Sequence, residues 1–234
     1  MPQQYLTLFI LLLAFLTLGW LLIRRGKTGR QTKLSDDLAD SEVIHDCLDL
    51  LEALQKHRGL GGLQDSAGIN QRLAIARHID QLFQHWPHSH PPPALTDKWP
   101  ALQRNPADFD AHCQLIEALL TLIEQLEDRL QRRRANFRGI GQACRAVEDL
   151  ARLRGLCVRA ARNRRCPSGL QMQLRFICQR LRSHSPDQQI LTLLTHLEQE
   201  LIDTRHIRLT PGQCFALLTP LIDERLQAIR QEHR

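Results

Sequence analysis

The chain has 234 residues, of which 43% are hydrophobic, 24% charged and 5% aromatic, and its formal net charge is +6. That balance excludes disorder and collagen-like repeats, and the shortage of β-branched and aromatic side chains beside abundant Leu, Gln, Arg and Ala excludes an all-β fold. An all-α protein is expected.

Tyr5 to Ile23 is a run of nineteen residues without a charge, which at about 1.5 Å per residue matches the hydrocarbon thickness of a bilayer. Tyr5 and Trp20 stand near its ends, where amphipathic rings favour the headgroup layer. A signal peptide carries its positive charge before the apolar run; here the charge follows it, so residues 1–23 read as an uncleaved transmembrane anchor. Arg24, Arg25, Lys27, Arg30 and Lys33 come next, and no Lys or Arg precedes. Residues 24–35 therefore read as a basic linker against membrane lipids. The expected topology is a single-pass inner-membrane protein with its C-terminal domain in the cytoplasm. Beyond residue 33 the chain has 26 basic and 25 acidic residues, a balance of +1. The net charge thus points to lipid, not to a nucleic-acid partner. Seven scattered cysteines, never in C-x-x-C spacing, fit that compartment as small buried apolar residues.

Residues 36–234 are expected to form one helical domain with halves at about 36–134 and 140–234. Its first helix starts near Asp36, with Val43, Ile44, Cys47, Leu48, Leu51 and Leu54 at helical spacing. A second carries Ile69, Leu73, Ala76, Ile79, Leu82 and Phe83 and ends at the Trp86-Pro87 step, antiparallel to the first. Residues 87–106 hold six of the eleven prolines and predict a stiff connector of polyproline character. Asn105 is expected to cap the next helix, with Pro106 in its first turn and Leu115, Leu119, Leu122, Ile123 and Leu126 on one face. After Asn136 come four more helices: Ala143 to Ala161, Leu170 to Leu181, Ile190 to Ile202, and a last one opened by Thr210-Pro211 with Phe215, Leu218, Leu221, Ile222 and Ile229 inward.

An internal repeat joins the halves. Leu51 to Leu60 (LEALQKHRGL) aligns with Val147 to Leu156 (VEDLARLRGL) at an offset of 96, with Glu, Leu, Arg, Gly and Leu coinciding. In each copy an arginine, Arg58 or Arg154, stands where the apolar stripe calls for a core residue, and neither has a carboxylate three or four residues away. A guanidinium stays charged and is costly to bury alone. Three partners are open: a carboxylate from the acidic first helix, water reached by snorkelling, or a small exogenous anion. The glycine after each arginine lets another group come close.

Leu54-Gln55-Lys56-His57-Arg58-Gly59-Leu60 resembles the signature of the nitrate- and nitrite-sensing (NIT) domain family, written as Leu-Gln, a variable residue, then Glu-Arg-Gly. His57 takes the place of the usual Glu, and the second copy resembles the weaker motif of that family's other half. The resemblance implies an all-helical, duplicated bundle over about residues 36–232 that binds nitrate or nitrite through its arginines. It implies Arg58 and Arg154 as ligand-binding residues; Arg225 is added by its stripe position after Leu218 and Ile222. Anion binding is expected to favour one bundle packing over another and to signal through an unidentified partner protein or a homodimer. The alternative is a ligand-free, membrane-tethered scaffold with both arginines paired internally.

His85, His88 and His90 read as solvated loop histidines, not as a metal site. Twelve arginines between Arg129 and Arg165 lack the interleaved aromatics of nucleic-acid binders and are expected to face the acidic first helix or anionic lipid. No catalytic motif is present, so neither enzymatic activity nor a cofactor is expected.

Overall fold

The computed structural model describes residues 40–86, 95–132, 138–184 and 187–232. Within them lie α1 (residues 40–60), α2 (Ser66–Gln84), α3 (Leu95–Arg104), α4 (Phe109–Gln131), α5 (Ile140–Ala160), α6 (Ser168–His184), α7 (Gln188–Leu197, continued by a π turn at Glu198–Ile202) and α8 (Pro211–Glu232). The described residues form a helical bundle and include no strand. The chain divides into two compact units, Met1–Glu42 and Val43–Arg234. Only the opening residues of α1 represent the first, and the bundle belongs to the second. The expected transmembrane helix and the basic cluster Arg24, Arg25, Lys27, Arg30 and Lys33 lie outside the described residues. No helix among the described residues is long and apolar enough to cross a membrane.

The core is built on α5, which packs against α8, α6 and α4. Most helices of a bundle bury one stripe, but Leu153 to Val158 of α5 are six consecutive buried residues, which cover every side of the helix. The same holds at the end of α1, where His57, Arg58, Gly59 and Leu60 are all buried. Arg58 and Arg154 therefore sit on turns enclosed all round. The start of α5 is held by a neighbour. Gly139 has φ +87° and no capping side chain, and the buried carboxylate of Glu127 on α4 accepts hydrogen bonds from the amides of Gly139 and Gly141, two donors that a helix start leaves open.

The periodic cores of α1, α4, α5, α6 and α8 agree with expectation, and Phe215, Leu218, Leu221, Ile222 and Ile229 are buried. Three expectations are corrected. The proline-rich connector contains α3: Leu95, Trp99 and Leu102 share one buried face, and Trp99 donates to Asp80 on α2 at 2.8 Å. Residues 87–94, with the triple proline, lie outside the described residues. Asn105 does not cap α4; it accepts a turn bond from the Asp108 amide, and Asp108 is the cap, accepting from the Ala111 amide at 2.9 Å. Leu73, assigned to a buried stripe, is 54% exposed, because α2 buries little besides Ile79 and Gly68. The last turn of the Ile190 to Ile202 helix widens to a π turn, in which the Asp203 amide donates to the Glu198 carbonyl.

All seven cysteines are free thiols, and six of them are buried. Burial pushes Cys144, Cys178 and Cys214 up to about 12, so they behave as small apolar core residues.

Candidate functional site

The two copies of the repeated motif meet. Gln55 on α1 reaches Glu148 on α5, Gly59 faces Arg154, and Gly62 faces Val158. Contacts advance together along both helices, so α1 and α5 run in the same direction. Their surroundings correspond as well, each arginine lying over an aromatic ring. Arg58 lies over the ring of Phe109 at 5.2 Å, and that ring also covers Gly155, where an added Cβ would come within 2.5 Å. Arg154 lies over the ring of Phe215 at 4.6 Å, and that ring covers Gly59, where an added Cβ would come within 2.9 Å. The glycine after each arginine thus seats an aromatic ring from α4 or α8. Gly155→Ala is expected to destabilise by about 1–3 kcal/mol through overpacking, against a helix-propensity gain below about 1 kcal/mol. Urea unfolding measures the difference.

The charges break this symmetry. Arg58 donates to both oxygens of Glu148, at 2.6 and 3.0 Å, with its side chain fully buried and that of Glu148 12% exposed. Glu148 also accepts from the Gln55 amide at 3.0 Å, and Arg58 touches the Cys113 thiol at 3.3 Å. Burial alone pulls the Arg58 pKa down, but Glu148 outweighs it and the net shift is upward. The expectation that Arg58 awaits an outside anion is therefore corrected. Its counterion is internal, and it comes from α5 instead of the acidic first helix. Glu148 stands six residues before Arg154, as Glu52 does before Arg58, so the matching Glu of the repeat was the sequence signal for this partner.

Arg154 has no such partner. Its Nη1 donates to the Thr219 hydroxyl at 2.9 Å and its Nη2 to the Gln55 carbonyl at 2.8 Å, both neutral acceptors. Its Nε is buried without a hydrogen bond. No carboxylate among the described residues forms an ion pair with it. Glu52, the equivalent of Glu148, is held instead by Lys56 and by Arg230, each at 2.7 Å. Burial, then the like charge of Arg58, pushes the Arg154 pKa down to about 9.

Arg225 lies elsewhere. It is clasped by Asp187 and lines a cleft of about 550 Å³ with Arg145 and Arg180 over a floor of Leu150, Leu181 and Ile190. Arg145 and Arg180 are themselves held by Glu124 and Asp149. Of the basic segment between Arg129 and Arg165, Arg145 thus finds its acids on α4, while the acidic face of α1 receives Arg230 from α8.

His57, in the place of the usual Glu, is also buried. Its Nδ1 is 2.8 Å from Nε2 of His112, and its ring meets Trp99 edge-on. Nδ1 of His112 faces the Asp108 carbonyl at 2.5 Å. A carbonyl only accepts, so Nδ1 of His112 donates there, and in the neutral ring its Nε2 accepts from Nδ1 of His57. Burial, reinforced by His112, pushes His57 down to about 3; burial, reinforced by Arg58 and opposed by the Asp108 carbonyl, pushes His112 down to about 4. Unfolded histidine titrates near 6.5. The unfolded chain alone takes up these protons as pH falls below about 6.5, so stability complete above that value is lost toward pH 4, by up to about 1.4 kcal/mol per pH unit and histidine. Thermal melts from pH 7.5 to 4.5 are expected to show this fall, and the double variant His57→Gln/His112→Gln is expected to flatten it.

Of the metal-like triplet, His85 is bonded to the Gln81 carbonyl, while His88 and His90 lie outside the described residues. No group of three potential ligands occurs among the described residues. Comparison with protein families, with curated proteins and with solved structures gives no match.

Proposed function

We propose that this chain is a sensor of a small inorganic anion, nitrate or nitrite, with Arg154 as the receptor side chain and the Arg58–Glu148 pair as fixed framework. One observation carries the reading: Arg154 is a wholly buried cation with only neutral acceptors and an orphaned Nε. A planar anion with acceptors only supplies the charge that Glu148 supplies to Arg58, and it matches a guanidinium fork. The choice of nitrate or nitrite rests on the resemblance of the Leu54 to Leu60 motif.

The orphaned Nε faces Gly59, and a Cβ placed there would be 3.0 Å away. An anion at Nε therefore requires α1 and α5 to part, so binding is coupled to a change of packing. Such a change is a signal that a partner protein or a second copy of the chain can read. In this proposal residues 5–23 anchor the sensor in the inner membrane, with the bundle in the cytoplasm.

The test is thermal melting of the full chain in detergent with nitrate, nitrite or matched chloride. A ligand specific to the folded state stabilises by mass action, about 2.7 kcal/mol at one hundred times its dissociation constant. Nitrate or nitrite is expected to raise the midpoint above chloride. Identical midpoints in all three salts would sink the sensor and leave the tethered scaffold, the reading that the internal Arg58 pair favours.

A further inference from the structure

We propose that the end of the bundle formed by the 161–167 and 203–210 loops docks on an anionic phospholipid bilayer. These loops are far apart in sequence and are stitched together. The Ile207 amide donates to the Arg164 carbonyl at 3.1 Å, and Arg165 Nε donates to the Arg205 carbonyl at 3.4 Å. The junction gathers Arg162, Arg164, Arg165, Arg205, His206 and Arg208 on one exposed surface, with no lysine. Its one acid, Asp203, is engaged by Arg175 at 2.7 Å, and Arg208 is engaged by Glu200. Arg162, Arg164, Arg165 and Arg205 have no ion pair among the described residues, whereas Arg145, Arg175, Arg180, Arg182 and Arg230 each hold a carboxylate. Four arginines gathered on one surface without a carboxylate present that surface to an external polyanion. Guanidinium forks suit phosphate in particular.

An apolar pair lies beside this surface and selects the polyanion. On α6, Gln171 donates to the Ile202 carbonyl and Arg175 to Asp203, so this side of the helix faces the 202–203 segment. Met172 and Phe176, each the next residue along, are 72% and 60% exposed. Being four apart, they form one ridge. Cations flanking an exposed Met–Phe ridge match a bilayer interface, where the charges meet headgroups and the apolar side chains enter the acyl boundary. Single-stranded nucleic acid is recognised by rows of stacking aromatics, and this surface offers Phe176 alone.

The full chain is placed in nanodiscs of phosphatidylcholine with or without phosphatidylglycerol, and amide exchange is monitored in peptides spanning 161–176 and 203–210. Exchange is expected to slow at least several-fold with the anionic lipid. The variant Arg162→Gln/Arg164→Gln/Arg165→Gln/Arg205→Gln, with all four changes on the surface and an unchanged melting midpoint, is expected to lose that slowing. Equal exchange in the two lipids, or slowing that persists in the variant, overturns the proposal. Protection by an RNA oligonucleotide in neutral discs, without a lipid effect, overturns it in favour of nucleic acid. Neither arm depends on Arg154 or on nitrate.

Discussion

Arg58→Ala is expected to lower the unfolding free energy by about 3–5 kcal/mol, because it strands the Glu148 carboxylate in a site built for a salt bridge. The Gln55 amide, which also donates to Glu148, does not replace a bidentate guanidinium. Glu148→Gln is expected to be similarly damaging, since it leaves the buried Arg58 guanidinium without its counterion. Replacing both partners with apolar residues, Arg58→Met with Glu148→Leu, removes both charges together and is expected to recover most of the loss. Urea unfolding of the two single variants and the double variant completes the cycle. A double variant as unstable as the singles would show that shape, not charge, is what this pair contributes.

Arg154→Met is expected to do the opposite. It deletes a desolvated charge that no carboxylate compensates and keeps a flexible apolar stem of similar reach, so stability is expected to rise by about 1 kcal/mol. The gain is limited by the lost stacking of the guanidinium on Phe215, seen at 4.6 Å. The same variant is expected to abolish any nitrate- or nitrite-dependent rise in melting midpoint, while Arg225→Gln, on a separate cleft, leaves it in place. A stabilised protein that no longer answers to its anion is the pattern expected of a residue kept for binding at a cost in stability. Loss of stability together with an intact response would assign Arg154 a purely structural role.

Much of the fold was legible because amphipathic periodicity survives packing. Leu115, Leu119, Ile123 and Leu126 on α4, and Leu174, Ile177 and Leu181 on α6, are buried as their spacing predicts. The two arginines were also legible, since a cation breaking an apolar stripe stands out. What their charges meet was not. Glu148 is 90 residues from Arg58, and only the tertiary arrangement decides that it faces Arg58 while Glu52 turns to Lys56 and Arg230. Phe215 read as a core residue, and nothing local says that it, or Phe109, is stacked under a guanidinium and over a glycine. The helix α3 was masked by proline content, although Leu95, Trp99 and Leu102 carry its period; Pro100 sits inside it and gives up one helical amide bond. The His57–His112 contact was out of reach as well, because each histidine looks like an ordinary polar residue until both are enclosed.

The rings of Phe109 and Phe215, lodged above Gly155 and Gly59, work as a pair of mechanical detents. Sliding α1 past α8, or α5 past α4, by a turn would drive a ring into the Cβ of a neighbouring residue, so axial slip is blocked at both seams. Tilting or lateral separation, which lifts a ring straight out of its notch, meets no such stop. Whatever motion this bundle makes in use, its geometry steers toward hinging instead of ratcheting.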